Sequence, residues 1–208
     1  ALPNDIGMVV STGASHNRIG GPDPSDRNVF SGNRRAGLMI TNRHTRGNRI
    51  EGNHIGVDEV GESAVPNRHG LVIATYAAEN TVRRNVVSGN RSAGVVLHEY
   101  AEANRLLGNW IGAIPSGERL LGNEEGGVFL DAHAANNAIG IPGEPNRISR
   151  DPLAAIILGP NVGEGNRVAD NRFPGPRGQS VLRIPQPAPA GEQESVATGE
   201  PEESSVPE

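Results

Sequence analysis

The sequence predicts an all-β fold: a single right-handed parallel β-helix of about six turns, with three short strands in each turn. Three observations carry that expectation. A Gly-apolar-any-apolar signature recurs along the chain, an Asn-any-apolar signature recurs in pairs five residues apart, and extra residues enter the repeat at corresponding corners.

The first strand of each turn is marked by Gly37-Leu38-Met39-Ile40, Gly70-Leu71-Val72-Ile73, Gly94-Val95-Val96-Leu97 and Gly127-Val128-Phe129-Leu130, with looser copies at Gly7-Met8-Val9-Val10 and Ala155-Ile156-Ile157-Leu158. Alternation over so few residues sends two apolar side chains inward per strand. The second and third strands are marked by Asn pairs: Asn48 with Asn53, Asn80 with Asn85, Asn104 with Asn109, and Asn166 with Asn171. Inserted loops stretch two further pairs, Asn17 with Asn28 and Asn137 with Asn146. A corner this tight calls for a residue that tolerates left-handed backbone, a role expected of these Asn and of the Gly before each first strand. Stacked Asn amides are also expected to bond from turn to turn as ladders.

The Gly markers are separated by 33, 24 and 33 residues. The shortest interval is the bare coil, and the inserts Val57 to Asn67 and Ala113 to Asn123 lengthen two turns at the same corner. A solenoid tolerates such insertions because each turn contacts only its neighbours. Six turns at the ~4.8 Å strand spacing make a rod of about 29 Å. Residues 1–173 form this coil, and residues 174–208 read as a Pro/Glu/Ser-rich linker or disordered tail. Within that tail, Val181, Leu182 and Ile184 are the residues able to dock on the last turn.

Composition agrees and excludes several functions. Aromatic residues make up 3% and hydrophobic residues 35%, too little for a thick aromatic core, while 28 Gly and 16 Pro favour turns. All basic residues are Arg, and the tail's six Glu against two Arg account for −4 of the net charge of −5. The nearly neutral body argues against nucleic acid as a partner. The absence of Cys removes disulfides and thiolate metal sites. No apolar run approaches the ~18 residues of a membrane span, so no membrane insertion is expected. No signal peptide is recognisable, and the chain reads as a mature product or an excised fragment.

The runs Asn53-His54-Ile55-Gly56 through Gly70-Leu71-Val72-Ile73, and Asn28-Val29-Phe30-Ser31-Gly32-Asn33 before Gly37, resemble the repeats of the pectate-lyase-like superfamily, above all its secreted bacterial repeat proteins. The resemblance spans about residues 6–173. It implies the fold, an extracellular or cell-surface bacterial setting, and an outer first-strand face on which the superfamily's enzymes work. Function itself must come from a site.

On that face the first outward column is Met39, Val72, Val96, Phe129 and Ile157, preceded by Val9, an apolar stripe expected either to be a contact surface or to be covered by a loop, a neighbouring domain or the tail. The next column holds His98 and Asp131, expected as hydrogen-bonded neighbours, with Glu99 and His133 around the corner. A His beside a carboxylate is a candidate base, which makes these four the candidate catalytic residues. Tyr76 and Tyr100, one turn apart, are candidates for a sugar face. Arg49 and Arg105 belong to a rail with Arg18 and Arg167 suited to carboxylate ligands, with Glu51 nearby as an ordinary salt-bridge partner. Trp110 faces outward beside His54, Val86 and Arg147, as a sugar platform or as packing under the insert. A single sequon occurs at Asn90-Arg91-Ser92.

The superfamily's clustered Asp, Gly-His-Gly and Asp-Pro-His motifs are missing. No cofactor or metal is expected; for calcium, only Asp131 lies on the relevant face, with Glu99 at its corner. The leading expectation is therefore an extracellular repeat module with a binding or structural role, its partner a polysaccharide or another protein surface. Against it stand a polysaccharide lyase, hydrolase or epimerase acting on the first-strand face, and an oligomerising or adhesin-like segment. The oligomeric state stays open.

Overall fold

The computed structural model describes residues 3–116, 120–149, 153–175 and 179–186. They wind into a right-handed parallel β-helix. Turn one comprises β1 (Ile6–Val10), β2 (Arg18–Gly20) and β3 (Val29–Phe30); turn two β4 (Ala36–Ile40), β5 (Arg49–Glu51) and β6 (His54–Ile55). Turn three follows with β7 (His69–Ile73), β8 (Thr81–Arg83) and β9 (Val86–Val87), and turn four with β10 (Val95–Leu97), β11 (Arg105–Leu107) and β12 (Trp110–Ile111). Turn five holds β13 (Val128–Leu130), β14 (Ala138–Ile139) and β15 (Arg147–Ile148), and turn six β16 (Ala154–Leu158) and β17 (Arg167–Val168). A last strand, β18 (Gln179–Arg183), pairs with β16.

Corresponding strands form three parallel sheets of seven, six and five strands. Their inward side chains meet in one apolar column. Leu38, Ile40, Leu71, Ile73, Leu97 and Leu130 come from the first sheet, Ile50, Leu106 and Ile139 from the second, and Ile55, Ile111 and Ile148 from the third; all are fully buried. Each contributes roughly 1.5–3 kcal/mol by leaving water. No turn closes this column by itself.

The Asn ladders form, but the backbone differs from expectation. At the corner before the second strand the left-handed residue is the one preceding the Asn: His16, Gly47, Glu79, Ala103, Asn136 and Gly165 all have φ between 53° and 73°. The ladder Asn is free to use its side chain instead. Asn17, Asn48, Asn80, Asn104, Asn137 and Asn166 make one column, each Nδ2 donating to the next Oδ1 at 2.9–3.1 Å. Asn28, Asn53, Asn85, Asn109, Asn146 and Asn171 make a second. A third, Asn33, Asn67, Asn90 and Asn123, closes the corner before the first strand. Asn90 is therefore fully buried, and its sequon is closed to modification.

The Gly of the first-strand signature also has a different reason. Gly37, Gly70, Gly94 and Gly127 are absent from the positive-φ residues; what they lack is room. A Cβ on Gly127 would run into Ile148 Cγ2 and lie 2.6 Å from the Ala155 carbonyl oxygen.

Both inserts fold back as short antiparallel loops, closed by the Val57–Ala64 and Ala113–Leu120 bridges. The Gly89 corner of turn three lies between them, donating its N–H to Leu121 O and approaching the Ala64 Cβ. In the segment read as linker or tail, β18 adds a seventh strand to the first sheet, with Val181 beside Ile156, Leu182 beside Ile157, and the Ile184 N–H donated to Leu158 O at 2.8 Å. The tail beyond residue 186 lies outside the described residues.

Candidate functional site

The register places Val9, Met39, Val72, Val96, Phe129 and Ile157 in one outward column on the first sheet. Its middle is less open than an uncovered contact stripe would be: Val72 is 5% and Val96 9% exposed, whereas Val9 is 47% exposed. Over Met39, Val72 and Val96 lies a groove of about 420 Å³. Arg35, Arg68 and His69 form the wall at the start of the strands, and Thr41, Thr75, His98 and Glu99 the wall at their ends.

The walls differ in chemistry. Arg35 reaches Asp5 at 3.4 Å through exposed side chains, a contact of little strength. His69 is half-buried, and its Nδ1 is shielded from water with no hydrogen-bond partner. Burial pushes its pKa below the ordinary histidine value, and the nearby charge of Arg68 acts in the same direction. A neutral imidazole with a spare nitrogen results. On the opposite wall the Thr75 hydroxyl donates to Glu99 Oε2 at 2.6 Å, and His98 Nδ1 stands 3.7 Å from Glu99 Oε1.

The expected His98–Asp131 hydrogen bond is not present. The two residues occupy neighbouring positions in the column, but Asp131 turns the other way. Its Oδ1 accepts the Asn161 N–H at 2.9 Å and its side chain packs over Gly159, where the missing Cβ leaves space. His98 takes Glu99 as its partner, and Asp131 serves the corner of the next turn.

Tyr76, Tyr100 and His133 form a stack along that corner. The tyrosine rings are 4.8 Å apart and 3° from parallel, and His133 lies 4.8 Å beyond Tyr100. The Arg43 guanidinium caps the other end, 3.8 Å from the Tyr76 ring centre. Their spacing equals the turn spacing because each ring projects from an equivalent left-handed position, with φ of 64–65°. The consequence reverses one expectation. Both faces of each tyrosine are occupied by neighbours, so the rings offer a sugar only their edges and hydroxyls. His133 is a member of this stack and lies apart from the His98–Glu99 pair.

The Arg rail is in register as Arg18, Arg49, Thr81, Arg105, Ala138 and Arg167. Arg18 is held by Asp26 at 2.6 Å and Arg49 by Glu51 at 2.8 Å. Arg105 and Arg167 are exposed and carry no ion pair among the described residues. Glu51 is more than the nearby carboxylate of the sequence reading. It is 2% exposed, with Arg83 and Arg84 at 3.9 and 4.0 Å, and Arg83 continues to Glu144 at 2.7 Å. This network ties the loop of turn five to turns two and three.

The third sheet's outward column runs Val29, His54, Val86, Trp110 and Arg147. His54 is buried beneath the first insert, its Nδ1 3.1 Å from Asp58 O, and burial lowers its pKa. Trp110 lies under the Arg147 guanidinium, 4.6 Å from the ring centre.

Among these residues the structure brings together His98 and Glu99, and separately Tyr76, Tyr100 and His133. The sequence reading missed the opposite groove wall, Arg35, Arg68 and His69. These residues stand immediately before the Gly-apolar signature, and that position was the available signal.

Among the described residues no three His, Asp or Glu gather as a metal-holding group, and no helix is long and apolar enough to cross a membrane. Of the two Met, Met8 packs against the core and Met39 lies in the groove floor.

Residues 26–139, more than half of the chain, match a family described as periplasmic copper-binding protein (NosD). No curated protein and no solved structure matches.

Proposed function

The chain belongs to the periplasmic copper-binding protein (NosD) family, and from that membership we propose that it is a ligand-binding repeat module of the cell envelope, taking a polysaccharide along the first-sheet groove. The family's description supports an extracellular or envelope setting. The copper in that description does not fit the donors of this chain. Copper sites draw on thiolate, thioether and clustered imidazole; here Cys is absent, and among the described residues no three His, Asp or Glu gather, His69 and His98 being the two imidazoles that share the groove with Met39.

The observation that carries the reading is the groove. Its floor of Met39, Val72 and Val96 is apolar, while Arg35 and Arg68 line one side and Thr41, Thr75 and Glu99 the other. A sugar ring has matching parts: a C–H face for the floor, hydroxyls for Thr and Glu, and carboxylates for Arg. A repeating surface also suits a repeating polymer.

A glycan array followed by calorimetry tests this. An acidic polysaccharide is expected to bind, and Arg68→Ala to weaken it about tenfold, equivalent to ~1.4 kcal/mol. Failure of every glycan to bind, or binding indifferent to Arg68→Ala, overturns the reading.

A second reading, a polysaccharide-active enzyme, is favoured by one observation: His98 shares the groove with His69, whose burial keeps its imidazole neutral. It requires the purified protein to release reducing or unsaturated sugar ends, and His98→Ala or His69→Ala to stop that release. An oligomerising role through the apolar column draws less support, since Val72 and Val96 are already buried within one chain.

A further inference from the structure

A second recess, of about 300 Å³, opens on a different side of the coil, between the second insert and the last turns. Ile114, Leu120 and Phe173 give it apolar walls. Its polar part is Arg147 and Arg172, in register on successive turns, with Trp110 one turn before Arg147. The turn spacing of ~4.8 Å makes the two arginines neighbours. Neither has an ion-pair partner among the described residues.

The Arg147 guanidinium carbon lies over the Trp110 indole, 4.6 Å from the ring centre. The ring holds the cation in place without using its N–H donors, and a guanidinium with free N–H donors grips an oxyanion with two parallel hydrogen bonds. Two such cations beside an apolar wall repel each other until an anion joins them. The apolar walls then favour an anion carried on a body that has an apolar face.

We propose that this recess binds an organic anion, a carboxylate or phosphate borne on a sugar-sized body, bridging Arg147 and Arg172 while the body lies against Phe173 and Ile114. The site is distinct from the first-sheet groove and does not depend on how that groove is used.

Trp110 is the only tryptophan of the chain and lines this recess; because it also borders the hollow beside His54, Arg84 and Val86, the Arg172→Ala variant assigns any emission change to this recess. The full chain is titrated with glucuronic acid, with glucose 6-phosphate and with glucose as the neutral control. A saturable change in Trp emission is expected with one or both acids and not with glucose, and the acid that binds identifies the anion. Arg172→Ala, at an exposed position, is expected to keep the melting temperature and weaken the response at least tenfold, and Arg68→Ala in the other groove to leave it unchanged. An equal response to glucose, no saturable response to either acid, or an unchanged affinity in Arg172→Ala overturns the proposal.

Discussion

Asn85 and Asn109 are joined by two hydrogen bonds to one oxygen: the backbone N–H and the Nδ2 of Asn85 both donate to Asn109 Oδ1, at 3.0 and 3.1 Å. Asn109 Nδ2 in turn donates to Val82 O at 2.9 Å and to Asn146 Oδ1 at 2.9 Å. The amide group thus serves three turns at once. Asn109→Asp keeps the acceptor and removes both donors, leaving a buried carboxylate that faces two oxygens. A loss of about 3–5 kcal/mol is expected in urea unfolding at pH 7. Burial and the two facing oxygens raise the pKa of the new carboxyl well above the ordinary Asp value, so part of that loss returns as pH falls through the raised value, a pattern that mere loss of packing does not produce.

Gly127→Ala tests the close approach of the coil corners. Its Cβ meets Ile148 and the Ala155 carbonyl at distances no neighbour can accept without moving backbone. The expected cost is about 3 kcal/mol, the upper part of the overpacking range. Gly108→Ala is the control: its nearest contact is 3.7 Å away, and the left-handed φ of 61° alone costs about 1–2 kcal/mol. Equal melting temperatures for the two variants contradict this account.

The aromatic stack is opposed by backbone strain at the same residue. Tyr100→Ala removes contacts with Tyr76 and His133, each of the order of 0.5–1.5 kcal/mol, and keeps a side chain at φ 64°. Tyr100→Gly removes the same contacts and relieves the strain. The glycine variant is therefore expected to be the more stable by about 1 kcal/mol in thermal melts.

Stability depends on pH through His54 and His69. Burial holds both below the ordinary histidine value of 6.5. The unfolded chain then binds these protons more readily than the folded one. Stability is full above about pH 6.5 and declines as pH falls through that value toward the lowered folded values. Urea midpoints at pH 7.5 and pH 5 are expected to fall in that order, and His54→Gln with His69→Gln to flatten the difference.

The columns of this coil were legible because each depends on residue type at fixed intervals. Leu38, Leu71 and Leu97 follow their Gly markers at constant offsets, and a parallel solenoid turns constant offset into vertical alignment. The roles of the marker residues were less legible. Asn tolerates left-handed backbone and also makes ladders, and a sequence does not reveal which property is used; here Glu79, Ala103 and Arg84 carry the left-handed angle so that Asn can bond. The third ladder was readable in Ser31-Gly32-Asn33 and Ser88-Gly89-Asn90 and passed unnoticed because the inserts interrupt it. Side-chain direction at a corner was not legible at all. His98 chose Glu99, and Asp131 chose the Asn161 amide, because local backbone geometry selects among partners that spacing alone makes equally near.

Every rung of the Asn columns passes its hydrogen in the same sense, from the earlier turn to the later. The amide dipoles therefore add along the axis, and a coil accepts a neighbour in one orientation only. Residues 70–93, the bare turn of 24 residues between successive Gly markers, are expected to act as a cassette: removing or duplicating that unit brings Asn against Asn again in every column across the cut. A single-residue change at the same place mismatches every column together. Growth by whole coils, and never by fractions of one, is built into the chemistry of one amide.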